Sequence, residues 1–181
     1  MKKNIVAVLL VIALSTVFIF AATNPPATSF DVSTNVSGIN KMKITAAAFP
    51  ANGTPSSFDS AAVYAGPLAV TTYGSQTFTA YLSTMSNNRG GYTVTMDATA
   101  MKSTEAGEAD AYINYTVTVN NVSLATNGAT DVTAVTVIDV ESLTGRASQS
   151  HQIALTVDQT SFEAAVEGSY QGTVTFNYTA N

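Results

Sequence analysis

No cysteine and no tryptophan occur among the 181 residues, histidine occurs once, and only 10% of residues carry charge. Zero cysteine excludes disulfides, thiolate metal sites, iron–sulfur clusters and cysteine nucleophiles. A single histidine means that any Ser-His-Asp triad has to pass through His151. Ser148 and Ser150 lie close to it, but no G-x-S-x-G elbow is present. His151 therefore reads as a solvated loop residue. Cations are scarce, with 7 Lys+Arg against 12 Asp+Glu and a formal charge of −5, so the clustered Lys and Arg that bind a phosphate backbone are missing. The absence of tryptophan weakens sugar hydrolysis and sugar binding alike, because rings stacked on the ligand usually carry such sites. Tyr64, Tyr73, Tyr81 and Tyr92 are the remaining candidates for a modest ligand patch, with buried core tyrosines as the plainer outcome.

The acids offer little more. Glu105, Glu108 and Asp110 lack the D-x-D-x-D-G spacing of a calcium loop and read as a solvated acidic loop. Asp139 and Glu141 alternate on one strand face, but nothing positions a partner across a sugar. No catalytic, cofactor-binding or metal-binding residue is expected. The N-x-S/T sequons at Asn35, Asn52, Asn114, Asn121 and Asn177 follow from the abundance of Asn and Thr.

What is present is an apolar chain, 46% hydrophobic, whose composition is the opposite of the charge-rich balance that keeps chains disordered. Its start has the layout of a secretory signal peptide over residues 1–22. Lys2 and Lys3 precede an apolar run from Ile5 to Phe20, and the small residues Ala21-Ala22-Thr23 follow. The competing reading is an uncleaved anchor, for which the run is short. With residues 1–22 removed, 5 basic and 12 acidic side chains remain on 159 residues, a formal charge of −7. That length suits one domain, which buries enough surface to hold together without cross-links. The expected location is secreted, periplasmic or on a bacterial cell surface, with no stable membrane insertion once the leader is removed.

Pro25 and Pro26 keep the next stretch out of helices and central strands, making it a tether. Beyond it, apolar and polar residues alternate with period two. The alternating runs are Met42 to Ala46 with Lys41, Lys43 and Thr45 outward, Tyr92 to Asp97, Ile113 to Asn120, the set Ile153, Leu155 and Val157, and the set Tyr170, Val174, Phe176 and Tyr178. Between Ala134 and Val140 the apolar parity shifts, which marks a bulge or a strand buried on both faces. Helical turns are expected only within residues 57–64 and 161–167. Turn residues punctuate the runs at 51–53, 87–91, 126–128, 144–145 and 167–168. Short strands without intervening helices favour an all-β fold, an antiparallel immunoglobulin-like β-sandwich over residues 37–181. An eight-stranded outer-membrane barrel is the weaker alternative, since aromatic girdles are absent and Ala and Thr fall on both parities.

The last fourteen residues, from Gly168 to Asn181, form the clearest strand. Gly168 stands fourteen residues from the end and alternating Tyr170, Val174, Phe176 and Tyr178 follow, an arrangement that resembles the terminal strand of bacterial fimbrial (pilin-like) subunits and of spore coat U-like exported proteins. The chain departs from that pattern in having Ala180 where an aromatic is usual, and in lacking the cysteine pair. The resemblance implies an incomplete sandwich whose groove accepts a strand from a neighbouring subunit or a chaperone, by β-augmentation. Phe30, Val32 and Val36 have the spacing such a donor needs, within residues 23–36. Alternatively Phe30 and Val32 simply begin the first strand of a self-contained domain, and this plainer reading is the expectation here. The functional expectation is a non-catalytic exported structural or adhesive module, with a secreted ligand- or carbohydrate-binding module as the alternative.

Overall fold

The computed structural model describes residues 27–105 and 110–181. The proposed leader, its cleavage region and Pro25-Pro26 lie outside the described residues, as does Glu108. The chain divides into Met1–Asn35 and Val36–Asn181. Residues 27–35 have no regular secondary structure and are exposed.

The second unit is predominantly β, and every strand pairing in it is antiparallel. In chain order the elements are β1 (Asn40–Thr45), α1 (Pro55–Ser60), β2 (Gly74–Ser86), β3 (Tyr92–Ala98), β4 (Met101–Ser103), β5 (Tyr112–Ile113) and β6 (Tyr115–Val119). Then follow β7 (Val122–Ala125), β8 (Val135–Val140), β9 (Ala147–Val157), α2 (Gln159–Glu163), β10 (Tyr170–Gln171) and β11 (Val174–Ala180). One sheet has the order β1-β2-β9-β6-β7, a second β11-β3-β8 and a third β10-β4-β5. The last two adjoin, because Thr99 N donates to Thr173 O between them at 2.9 Å.

Alternation produces this arrangement directly. In β3, Tyr92, Val94, Met96 and Ala98 are buried while the residues between them are half-buried; in β6, Tyr115, Val117 and Val119 do the same. Leu82, Val94, Met96, Val117, Ile138 and Ile153, drawn from five strands in two of the sheets, share one core. At roughly 25 cal/mol per Å² of apolar surface, such burial dominates the folding free energy. The parity shift near Ala134 to Val140 is a bulge: the β3–β8 register slips between Val94 and Thr95. Val137 and Ile138 are consequently both buried.

Several details correct the sequence reading. The first strand starts at Asn40, so Phe30 and Val32 lie outside any strand. Thr45, expected outward, is 1% exposed because the loop after β1 and α1 cover that face; its Oγ1 lies 2.8 Å from Ser83 Oγ. Helix α1 begins two residues earlier than expected, where Thr54 caps Ser57 N and Pro55 fits the first turn. Helix α2 also begins two residues early, capped by Asp158 on Ser161 N at 2.7 Å. The run Ile113 to Asn120 is not one strand. It changes sheet at Asn114, whose Oδ1 accepts from Gly128 N at 2.7 Å and whose N donates to Ser161 Oγ at 2.9 Å.

Candidate functional site

Among the described residues, β1 and β11 each stand at the edge of their sheet with no strand on the outer side. In an antiparallel ladder the bonded residues alternate, which fixes where each edge points. Thr99 N donates to Thr173 O and Asn181 N to Gly91 O, so the odd-numbered residues of β11 bond to β3. Val174, Phe176, Tyr178 and Ala180 therefore turn their backbone N–H and C=O away from β3. Asn87 N donates to Ile39 O, which by the same logic directs the amides of Asn40, Met42 and Ile44 away from β2. Of these, Ile44 O is taken by Tyr64 N at 3.0 Å.

Side chains join the two edges at one end. Tyr178 OH donates to Asn40 Oδ1 at 2.9 Å, and the same oxygen accepts from Ser86 Oγ at 2.9 Å. The Tyr178 ring stacks on Tyr92 with centroids 4.9 Å apart, and Tyr92 OH lies 2.9 Å from Thr84 Oγ1. Burial pushes both phenols above their ordinary pKa, with the Thr84 bond opposing the shift at Tyr92 and Ser86 opposing it at Tyr178. Both therefore stay neutral hydrogen-bonding groups near pH 7.

Toward the other end the edges part and leave a groove of about 720 Å³. Ile44 and Tyr64 line one side, Val174 and Phe176 the other. Its floor is aliphatic and aromatic, with Ala80, Ile113, Tyr115, Ile153 and Leu155. Tyr115 reaches the core with its hydroxyl satisfied by Thr99 O at 2.9 Å, and burial pushes its pKa up to about 12. Phe162, Val166, Gly168 and Tyr170 close the far end. Gly168 adopts φ 148°, and a Cβ there would stand 3.0 Å from Glu105 Cγ, so a side chain at this position would be strained and crowded. Tyr170 OH donates to Val166 O at 3.0 Å.

Five of the seven residues singled out from the sequence thus come together along β10, β11 and the turn before them: Gly168, Tyr170, Val174 and Phe176 line the groove, and Tyr178 closes one end. The other two, Phe30 and Val32, are 87% and 86% exposed. With Val36 they make up half of the large hydrophobic residues found exposed among the described residues. Sequence reasoning missed the floor of the groove on β2. That strand carries a bulge between Thr77 and Tyr81; its burial alternates from Gly74 to Leu82, and from there to Ser86 it is buried on both faces, where alternation no longer marks it.

The remaining candidates disperse. His151 lies in β9 rather than in a loop; it is half-buried, its Nε2 is 3.1 Å from Gln149 Oε1, and burial lowers its pKa. Ser148 and Ser150 alternate onto the opposite face of β9. Ser148 Oγ donates to Pro50 O at 2.8 Å, and Ser150 Oγ lies 2.9 Å from Ser83 Oγ. Tyr92 is core, Tyr64 lines the groove, Tyr73 packs edge-on against Phe162, and Tyr81 stands on β2 opposite Thr45 and Gln152. Asp110 pairs with Lys102 at 2.8 Å, which holds its carboxyl below the usual range. Among the described residues no cluster of three His, Cys, Asp or Glu could hold a metal ion, and no helix is long and apolar enough to cross a membrane. Family models, curated proteins and solved structures provide no match to this chain.

Proposed function

We propose that the protein is an exported, non-catalytic structural or adhesive module of the bacterial cell surface, a fimbrial-like subunit that assembles by strand addition into the β1–β11 groove. The reading takes the fold as an immunoglobulin-like sandwich lacking one strand. In a complete domain of that kind one sheet runs A-B-E-D and the other C-F-G. The order β1-β2-β9-β6 corresponds to the first and β3-β11 to C-F, leaving the place beside β11 open. The observation that carries the proposal is the coincidence of an unpaired β11 edge with an apolar groove beneath it, since an added strand satisfies both at once.

The occupant is residues 28–36 of a second copy. Phe30 and Val32 are spaced by two, as one face of a strand requires, and both are exposed in this structure. Seating them stabilises the complex by roughly 1.5–3 kcal/mol each through apolar burial, with the ladder bonds to Val174, Phe176 and Tyr178 in addition. Sedimentation of the full chain across a broad concentration range tests this. Concentration-dependent oligomers are expected for the native chain and monomers for the Phe30→Asp/Val32→Asp variant, with equal unfolding midpoints at dilutions where both are monomeric. A native chain that stays monomeric, or a variant that assembles equally well, defeats the proposal.

A further inference from the structure

The groove is partly covered from within. After its short pairing with β1, bridging Thr45 and Val63, the chain turns away through Gly66 at φ 105°. Residues 65–73 then run to β2 without a single backbone–backbone hydrogen bond among the described residues. Alternate side chains nevertheless face inward: Tyr64, Leu68 and Val70 are half-buried against the core and line the groove, while Ala65, Pro67 and Ala69 are exposed. The stretch presents apolar residues at strand spacing but contributes no ladder.

We propose that residues 65–73 form a displaceable strap, in which Leu68 and Val70 hold the sockets that Phe30 and Val32 of a second copy take on assembly. This rests on the strand-addition reading and supplies its regulation. Leu68-x-Val70 and Phe30-x-Val32 share the same two-residue spacing and the same apolar character. The strap brings side-chain burial and two side-chain bonds to its carbonyls, from Tyr64 OH to Pro67 O at 3.4 Å and from Gln76 Nε2 to Thr72 O at 2.6 Å, but no ladder. The incoming strand brings burial together with hydrogen bonds to the free edge of β11, so it outcompetes the strap. A segment held by a few half-buried side chains, with no backbone–backbone bonds, belongs to the low-stability end of a fold and opens locally without global unfolding. While it is closed, the apparent affinity of the groove falls by the fraction of molecules that are open, which delays assembly until the local concentration of subunits is high.

The chain contains no cysteine, so one introduced thiol reports on the strap alone. Leu68→Cys is made in the full chain, kept dilute enough to remain monomeric, and titrated with a synthetic peptide of residues 28–38 whose binding is followed by anisotropy. Thiol labelling should accelerate about tenfold or more on saturation, as local opening becomes the bound state. Val70→Cys repeats the measurement should Leu68→Cys fold poorly, and Val63→Cys, already exposed, should label quickly throughout. Labelling that stays constant or slows while the peptide binds shows the strap in place and overturns the proposal, leaving strand addition intact. Absence of peptide binding, or equal binding of a peptide carrying Phe30→Asp and Val32→Asp, overturns both.

Discussion

At the Asn40–Tyr178 end of the seam between β1 and β11, hydroxyls and amides bind the two edges together; at the Ile44–Val174 end, mostly apolar side chains face a groove. The closed end is also covered from outside. Phe58 of α1 meets Phe49 at 4.8 Å between ring centroids and packs with Met85, forming a second small core beneath the helix. There β2 is buried on both faces, and Thr84 Oγ1 lies 2.9 Å from Tyr92 OH. The open end has a strap without ladder bonds and a β11 edge that no strand pairs among the described residues. Both ends are made of alternating strands. Burial on the second face, with hydrogen bonds between the edges, is what separates the rigid end from the receptive one.

Substitutions sharpen that contrast. The largest effect is expected for Phe58→Ala, which empties the second core at a residue 1% exposed and should cost about 3–5 kcal/mol in denaturant unfolding. A loss below about 1 kcal/mol would mean that the helical cover contributes little to the closed end. Tyr178→Phe keeps the ring stack but removes the bond to Asn40, and should cost about 1 kcal/mol. It should also loosen that end of the seam, read as faster exchange of the Asn87 and Asn181 amides, which donate to Ile39 O and Gly91 O there. No change in either would show that the Tyr178–Asn40 bond does not hold the edges together.

The smallest effect concerns acid. His151 lies along the same β9 strand, and burial holds its folded pKa below the ordinary 6.5. The unfolded chain thus binds a proton more readily. The His151 contribution to stability is complete above pH 6.5 and is lost as pH falls through that value toward the lower folded one. Unfolding midpoints of the native chain should therefore decline slightly across this window, and His151→Gln should flatten that part of the profile. An identical decline in the variant would assign it to carboxylates.

Much of the open end is legible in the order of residues alone. Val174, Phe176 and Tyr178 alternate cleanly because β11 has one face toward the core and one toward solvent, and period two marks just such half-buried strands. The bulge in β8 is legible for the same reason, as a break in parity. Strand β2, the longest, escapes such reading: where α1 and its loop cover the second face, Leu82 to Ser86 are all buried and polarity no longer tracks orientation. His151 misleads because one polar residue among serines and glutamines looks like a loop. Ladder pairing with Leu82 and the neighbouring Ile153 and Leu155 put it in a strand.

By itself the sequence determined the class of structure and the chemistry that is ruled out. Alternation and β-branched composition act locally, and a missing cysteine is missing in every fold. Only the tertiary structure decided which edges go unpaired, which alternating residues share a groove, and that Phe30 and Val32 stand outside the sheets while Leu68 and Val70 face inward. Those outcomes depend on pairing between strands far apart in the chain, here β2 with β9 and β3 with β11. Such pairing is a property of the whole packed ensemble of strands, and no single stretch of residues encodes it.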